Sequence, residues 1–396
     1  MKIMKNIFRA TILIFSMFLT IVAKSQTYPT FSQEIDVTIN GLSFDAMEPF
    51  ISPNGNYLFF NNLNDGIDTK LYYATKVNDS TFNYVGELNG TNQPVQPHLD
   101  AVSDMDTLNN FYWTSTRNYP TELDNLFHGT FNSGNVTNIG RVHGDFNKNI
   151  PGWLVMDHGI SYDGQFLYYN NARFDDNNCQ GACETEIGIA QKVNDSTFNK
   201  IANSNTILQN INDTNYIYYA PCISSDNLEL YYTRYLKGTI TSNTLFEICV
   251  AVRNTTTGTF SIPTVLFSEL IADLIEAPTL TADKQIIYYH RKTASSYKIV
   301  MRYRTSPLSV EDIAEIKLSF SIYPNPSNEK IVFYTNGFSN EYSFKIVNIF
   351  GQILIEKNNI NSTIQEVELN KLSNGVYFVR FYINHEKIET IKFIKN

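Results

Sequence analysis

A short unit recurs five times between residues 26 and 306, and few folds are open to a chain built that way. Its core is a strand, a tight turn, an aromatic strand, a loop and a third strand. The first copy reads Glu48-Pro49-Phe50-Ile51-Ser52-Pro53-Asn54-Gly55-Asn56-Tyr57-Leu58-Phe59-Phe60. The third runs from Gly159 through Asp163-Gly164 to Tyr168-Tyr169, the fourth from Pro221 through Asp226-Asn227 to Tyr231-Tyr232, and the fifth from Pro278 through Asp283-Lys284 to Tyr288-Tyr289. The second, from Pro97-His98-Leu99 to Phe111-Tyr112-Trp113, is looser, with a turn lengthened by Met105 to Asn109. Asn54-Gly55 and Asp163-Gly164 suit a two-residue hairpin turn with positive φ at both positions, and the other two pairs suit it less. A repeat of about 48 to 62 residues is too long for a helical solenoid and fits a four-stranded propeller blade.

The later strands repeat as well. Leu71 to Val77 is echoed by Ile187 to Val193, and both run into an identical Asn-Asp-Ser-Thr-Phe-Asn at 78–83 and 194–199. The fifth unit has its third strand, Lys298 to Tyr303, but no fourth. Residues 30–40 match a fourth strand with no blade in front of it, so they are expected to close the ring against 298–303 and protect both edges. The expected fold is all-β: a five-bladed β-propeller closed by an N-terminal strand, then a small C-terminal β-sandwich. The hairpin units resemble the TolB-type, WD-like propeller repeats, a resemblance that implies a propeller and no particular activity.

The two ends concern export. Lys2, Lys5 and Arg9 precede an apolar run from Ala10 to Val22, and Ala23-Lys24-Ser25 places small residues where a signal peptidase reads. Residues 1–25 are therefore expected to be a signal peptide, and no other stretch is apolar and long enough to span a bilayer. At the far end, Tyr323-Pro324-Asn325-Pro326, Phe350-Gly351, Asn374-Gly375-Val376-Tyr377 and the final strand with Lys392 resemble the C-terminal sorting domain, type A, of type IX secretion cargo in Bacteroidota. That resemblance implies residues 319–396 are a sorting β-sandwich, with 307–318 as linker. It implies the type IX machinery as partner, and the outer cell surface or the medium as destination.

Residues 26–318 carry a net charge of −14, which argues against nucleic acid as a partner. Four cysteines, Cys179, Cys183, Cys222 and Cys249, are disulfide candidates with three connectivities open. No metal site or other cofactor is expected. The acidic loop from Asp175 to Glu186 has oxygen ligands suited to calcium but no ordered ligand spacing.

The first strand of each blade lines a propeller's channel, so chemistry would gather at its start. Glu48, Asp157 and Glu276 stand there in three different units, with Glu276 one residue out of register with Glu48. His98, His158 and Tyr219 occupy comparable places as candidate ligand-binding residues. Five-bladed propellers include glycosidases of the arabinanase class, which use three carboxylates at the channel mouth. Two functions follow. The main expectation is a non-enzymatic binding or scaffold module holding a glycan, peptide or protein on its channel face. The alternative is a glycoside hydrolase using Glu48, Asp157 and Glu276.

Overall fold

We describe a computed structural model of the chain over residues 27–294, 296–305, 319–336, 342–360, 362, 364–383 and 386–396. The expected signal peptide and linker lie outside these described residues. The chain forms two compact units, one within residues 1–307 and one within 308–396.

The larger unit is five sheets. The first holds Met47–Ile51, Tyr57–Asn61, Leu71–Asn78, Thr81–Glu87 and, at its outer edge, Thr38–Asn40. The second holds His98–Met105, Asn110–Ser115, Leu126–Asn132 and Asn135–Arg141, with Asp68–Thr69 beside its first strand. The third is Trp153–Ile160, Phe166–Arg173, Glu184–Asn194 and Thr197–Lys200, and the fourth Tyr216–Ile223, Glu229–Leu236, Leu245–Val252 and Thr264–Leu270. The fifth is Ile275–Leu280, Ile286–Lys292, Tyr297–Tyr303 and the N-terminal Ile35–Asp36. The first strands of successive sheets touch in a closed cycle, that of the fifth returning to Met47–Ile51 of the first.

The paired aromatics explain how one sheet packs on the next. Adjacent residues of a strand point to opposite faces. Phe59 therefore packs with Phe111 and Trp113 toward the second sheet, while Phe60 packs with Tyr288 toward the fifth. Tyr169 meets Tyr112, Tyr168 meets Tyr232, and Tyr231 meets Tyr289. Each sheet thus supplies aromatic rings to both of its interfaces. Each such ring is almost fully buried, worth roughly 1.5–3 kcal/mol apiece.

The hairpin turns differ from the expected two-residue form. Ser52 and Tyr57 pair across a four-residue loop, closed by a bond from the Gly55 N–H to the Ser52 carbonyl. Only its third residue is left-handed: Gly55, Gly164, Asn227 and Lys284 have φ between +59° and +71°. A hydroxyl two residues before the Asn or Asp makes this form. Ser52, Ser161, Ser224 and Thr281 each donate to that side chain, and each accepts the N–H that opens the next strand. Side chains satisfying turn donors in this way stabilise the bend locally. In the second unit Asp106 takes the serine's place and bonds Asn110 directly, so that turn is one residue shorter where a longer one was expected.

The N-terminal segment divides its pairing. Ile35 and Asp36 lie antiparallel to Met301 and Val300, with a bridge from Phe31 to Arg304. Glu34 accepts from Tyr289 at 2.7 Å and from Arg291 at 2.9 and 3.0 Å. Thr38–Asn40 then run parallel to Thr81–Asn83 of the first sheet. The segment thus joins the outer strand of the fifth sheet to the outer strand of the first.

The smaller unit has two sheets, one of Ser319–Tyr323, Lys330–Asn336 and Ile364–Glu368, the other of Ile353–Ile360, Tyr342–Asn348, Gly375–Ile383 and Glu386–Lys395. They share a core that includes Phe333, Phe344, Phe381 and Phe393. Several of the motif residues singled out here make contacts within this unit. The Asn325 side chain donates to the Lys392 carbonyl and accepts from the Ile394 N–H, both at 3.0 Å, tying the opening motif to the last strand. Gly351, at φ +80°, turns over the Asn348 side chain, and the Tyr377 hydroxyl donates to Ser373.

Candidate active site

The five innermost strands share an irregularity. Pairing with the second strand slips between Met47 and Phe50, Ala101 and Ser103, Val155 and Asp157, Tyr219 and Cys222, and Glu276 and Thr279. Such bulges re-aim side chains. At four of them a non-glycine residue is left-handed: Glu48 at +50°, Val102 at +51°, Ala220 at +50° and Ala277 at +58°. This conformation costs roughly 1–2 kcal/mol each, and a ring of it marks a place where backbone shape serves a site. The bulges also resolve the register mismatch. Glu48 and Asp157 sit at equivalent hairpin positions and Glu276 one residue earlier, yet all three line one cavity of about 440 Å³.

Glu276 is held from behind. Its Oε1 accepts from Nε2 of His290 at 2.9 Å, and its Oε2 accepts the Tyr219 hydroxyl. The backbone N–H of Glu48 donates to Nδ1 of the same imidazole at 3.0 Å. Nδ1 is therefore the acceptor and Nε2 carries the proton. Burial alone would raise the Glu276 pKa, but the bonds from His290 and Tyr219, with the nearby Lys292 charge, outweigh it and bring it below the ordinary value.

The other two carboxyls go the opposite way. Burial, then the charge of Glu276, lifts Asp157 from 3.8 to about 7, partly offset by the Ala220 N–H. Burial, then the charges of Asp157 and Glu276, pushes Glu48 well above its usual range, although Asn64 donates to its Oε1 at 2.7 Å. Glu48 Oε2 and Asp157 Oδ2 are buried with no hydrogen-bond partner. The cavity thus holds one carboxyl whose surroundings favour ionisation, Glu276, and two, Asp157 and Glu48, whose surroundings push toward the protonated form. Environments that separate carboxyl pKa values in this way assign acid and base.

Beside it, a cavity of about 30 Å³ touches all five inner strands and is lined by Asp104, His158 and Cys222. Burial raises Asp104 to about 8, lowers His158 to about 4 and lifts the Cys222 thiol to about 12. His158 also lies here, away from the larger cavity. Tyr219 does line the larger cavity, whereas His98 does not: it is buried against Asp68 at 3.3 Å. The second unit's equivalent of Glu48 is Val102, four residues beyond His98, and the irregular second turn hid that alignment. Asp104 is buried, accepting the Met105 N–H at 2.6 Å and the Ile160 N–H at 3.0 Å.

Cys179 and Cys183 form a disulfide, and Cys222 and Cys249 are free. The free pair cannot bridge, because the strand Glu229–Leu236 runs between theirs, pairing Cys222 with Tyr231 and Cys249 with Tyr232. Two strand spacings are roughly 9.5 Å, beyond disulfide reach. In the acidic loop Asp175 and Glu184 face Arg173, and Glu186 faces Lys148. No metal-binding cluster of His, Cys, Asp and Glu occurs among the described residues.

Residues 321–396 match the family of secretion system C-terminal sorting domains. None of the curated proteins matches the chain. Among solved structures, the catalytic domain of a Coprinopsis cinerea GH62 α-L-arabinofuranosidase is similar at 11% identity, covering 70% of this chain and 96% of its own, with a TM-score of 0.42. A thermostable family-43 glycoside hydrolase is similar at 12% identity, with coverages of 68% and 95% and a TM-score of 0.44. TolB from Acinetobacter baumannii is similar at 9% identity, with coverages of 66% and 55% and a TM-score of 0.32. Similarities of this size reach no individual side chain.

Proposed function

We propose that the larger unit is a five-bladed propeller, closed by its N-terminal strand, that hydrolyses glycosidic bonds with Glu276 as base and Asp157 as acid. The observation that carries this reading is the opposed protonation of carboxyls lining one cavity. Hydrolysis of a glycoside needs that opposition. Asp157 gives its proton to the leaving oxygen as the bond to the anomeric carbon breaks. Glu276 takes a proton from the water whose oxygen joins that carbon. Glu48 lines the same cavity, and its tendency to hold a proton limits the negative charge packed beside Asp157 and Glu276. A purely binding role, the main expectation from sequence, gives no account of three costly carboxyls in one cavity.

The sorting domain supports export. We place the protein at the cell surface or in the medium of a member of the Bacteroidota, delivered by type IX secretion after removal of the signal peptide.

The test is a hydrolysis screen over pentosides and hexosides of both anomers, with Glu276→Gln as control. Loss of a general base typically costs 10²–10⁴-fold. The rate should follow a bell in pH, with its alkaline limb near 7, where Asp157 ionises. A Glu276→Gln protein as active as wild type would sink the assignment.

A further inference from the structure

Apart from its carboxyls, the wall of the cavity is largely apolar. Leu99, Leu154, Met156, Ile217, Ile240 and Phe246 form an apolar collar around the cavity. The uncharged polar groups beside them are mostly engaged already. Asn64 donates to Glu48 and accepts from Asn61 at 2.7 Å, and Tyr219 donates to Glu276. The Thr116 hydroxyl accepts the Leu99 N–H at 3.0 Å, and Thr114 donates to the Val155 carbonyl at 3.5 Å. A sugar ring held in the collar would bury several hydroxyls against aliphatic carbon. Each hydroxyl left without a partner costs roughly 1–3 kcal/mol. An apolar group there costs nothing of that kind and gains about 25 cal/mol for each Å² it buries.

The collar is braced. Gly181 and Ala182, inside the Cys179–Cys183 disulfide loop, are part of the cavity wall. Gln180 of the same loop accepts the Ile240 N–H at 2.9 Å, and the Cys183 N–H is bonded to the Arg173 carbonyl at 2.8 Å. Two chain segments far apart in sequence are thereby fixed to each other at the wall. The polar groups that remain at the wall are the Tyr235 hydroxyl and the carboxyls, with Asp157 2% exposed and its Oδ2 buried without a hydrogen-bond partner.

We infer that the site takes a glycoside whose leaving group is apolar, an alkyl or aryl aglycone, in place of a further sugar. This rests on the hydrolase reading above and adds its substrate class. Asp157 then protonates an oxygen that departs as an alcohol or phenol, and that alcohol's carbon body fills the collar.

The test compares cyclohexyl glycosides with disaccharides of the same sugar and anomer, on the full-length exported protein. Cyclohexanol is no better a leaving group than a sugar hydroxyl, so any preference reports binding. Calorimetry of cyclohexanol and the same glycosides on Glu276→Gln gives a readout without turnover. The cyclohexyl series should lead by roughly 100-fold in kcat/KM, and Leu154→Asn or Ile240→Asn should shrink that ratio at least about 10-fold. Disaccharides cleaved as well as cyclohexyl glycosides would overturn the substrate class and leave the hydrolase reading intact. No cleavage of any glycoside, with cyclohexanol bound by Glu276→Gln and lost in the collar variants, would uphold the collar and sink the hydrolase. Neither cleavage nor binding would sink both.

Discussion

Replacing Asp157 by asparagine tests the electrostatic reading without removing the acceptor that faces the Ala220 N–H. Asp157 is 2% exposed, and burial lifts it from 3.8 to about 7. The native state therefore holds a proton that the unfolded chain releases between those values. Stability must fall as pH rises through that window, since native protein binds the extra proton. A shift of this size at about 1.4 kcal/mol per pH unit corresponds to a penalty on the order of 4 kcal/mol above pH 7. The Asp157→Asn protein would carry none of it. Calorimetric melts of both full-length proteins at pH 4, 6 and 8 should diverge with pH, the variant gaining on the order of 8 °C at pH 8, at about 2 °C per kcal/mol. At pH 4 and below they should converge. Glu48 and Asp104 also favour protonation, so the wild type alone is uninformative, and the difference between the proteins is the quantity to read. Parallel curves at every pH would mean Asp157 is ionised in the fold, and the acid assigned to it would be lost.

Three other perturbations probe the scaffold. Arg304→Ala removes the guanidinium that grips both oxygens of buried Glu229, at 3.0 and 2.9 Å; urea unfolding should show a loss of about 3 kcal/mol or more. Gly144→Ala would place a Cβ 1.6 Å from the Phe198 carbonyl oxygen at φ +146°, and urea unfolding should show a loss at the upper end of roughly 1–3 kcal/mol. Glu34→Ala strips Tyr289 and Arg291 of their shared carboxylate, costing roughly 1.5–3 kcal/mol by chemical denaturation, with hydrogen exchange rising first in Tyr297–Tyr303. Unchanged stability for any of the three would contradict the contact or clash from which it is predicted.

The parts of this architecture readable beforehand are those written in short periods. Paired aromatics after a turn dictate two opposite faces, so the packing of each sheet on both neighbours follows from Phe59-Phe60 or Tyr288-Tyr289 alone. The pairing of Ile35 and Asp36 with Met301 and Val300 lies within the expected stretch, because a fourth strand without a blade needs an edge, but Thr38–Asn40 go instead to Thr81–Asn83 of the first sheet. What was not readable depends on backbone that side-chain pattern does not encode. The bulges place left-handed φ on Val102, Ala220 and Ala277, residue types that give no hint of it. Without the bulges, Glu276 looks misaligned with Glu48. The turns also misled, because a serine hydroxyl replaces the second left-handed residue expected of Asn-Gly. The collar lies on segments from three sheets and two loops, and only assembly makes it one surface.

The pairing of the N-terminal segment with the last strand of the larger unit also has a kinetic side. Glu34 and Arg291 are 257 residues apart, and closing so large a loop in an unstructured chain would cost about 5 kcal/mol. Forming the intervening sheets first shortens the effective loop, so the expected order is sheets first and the seam last. Until Tyr297–Tyr303 has emerged, Ile35–Asp36 has no partner strand. Contacts this distant in sequence fold slowly, and a chain in transit across an envelope spends that interval with unpaired edges. Conditions that delay the seam should therefore favour aggregation of newly exported chains while leaving mature protein untouched.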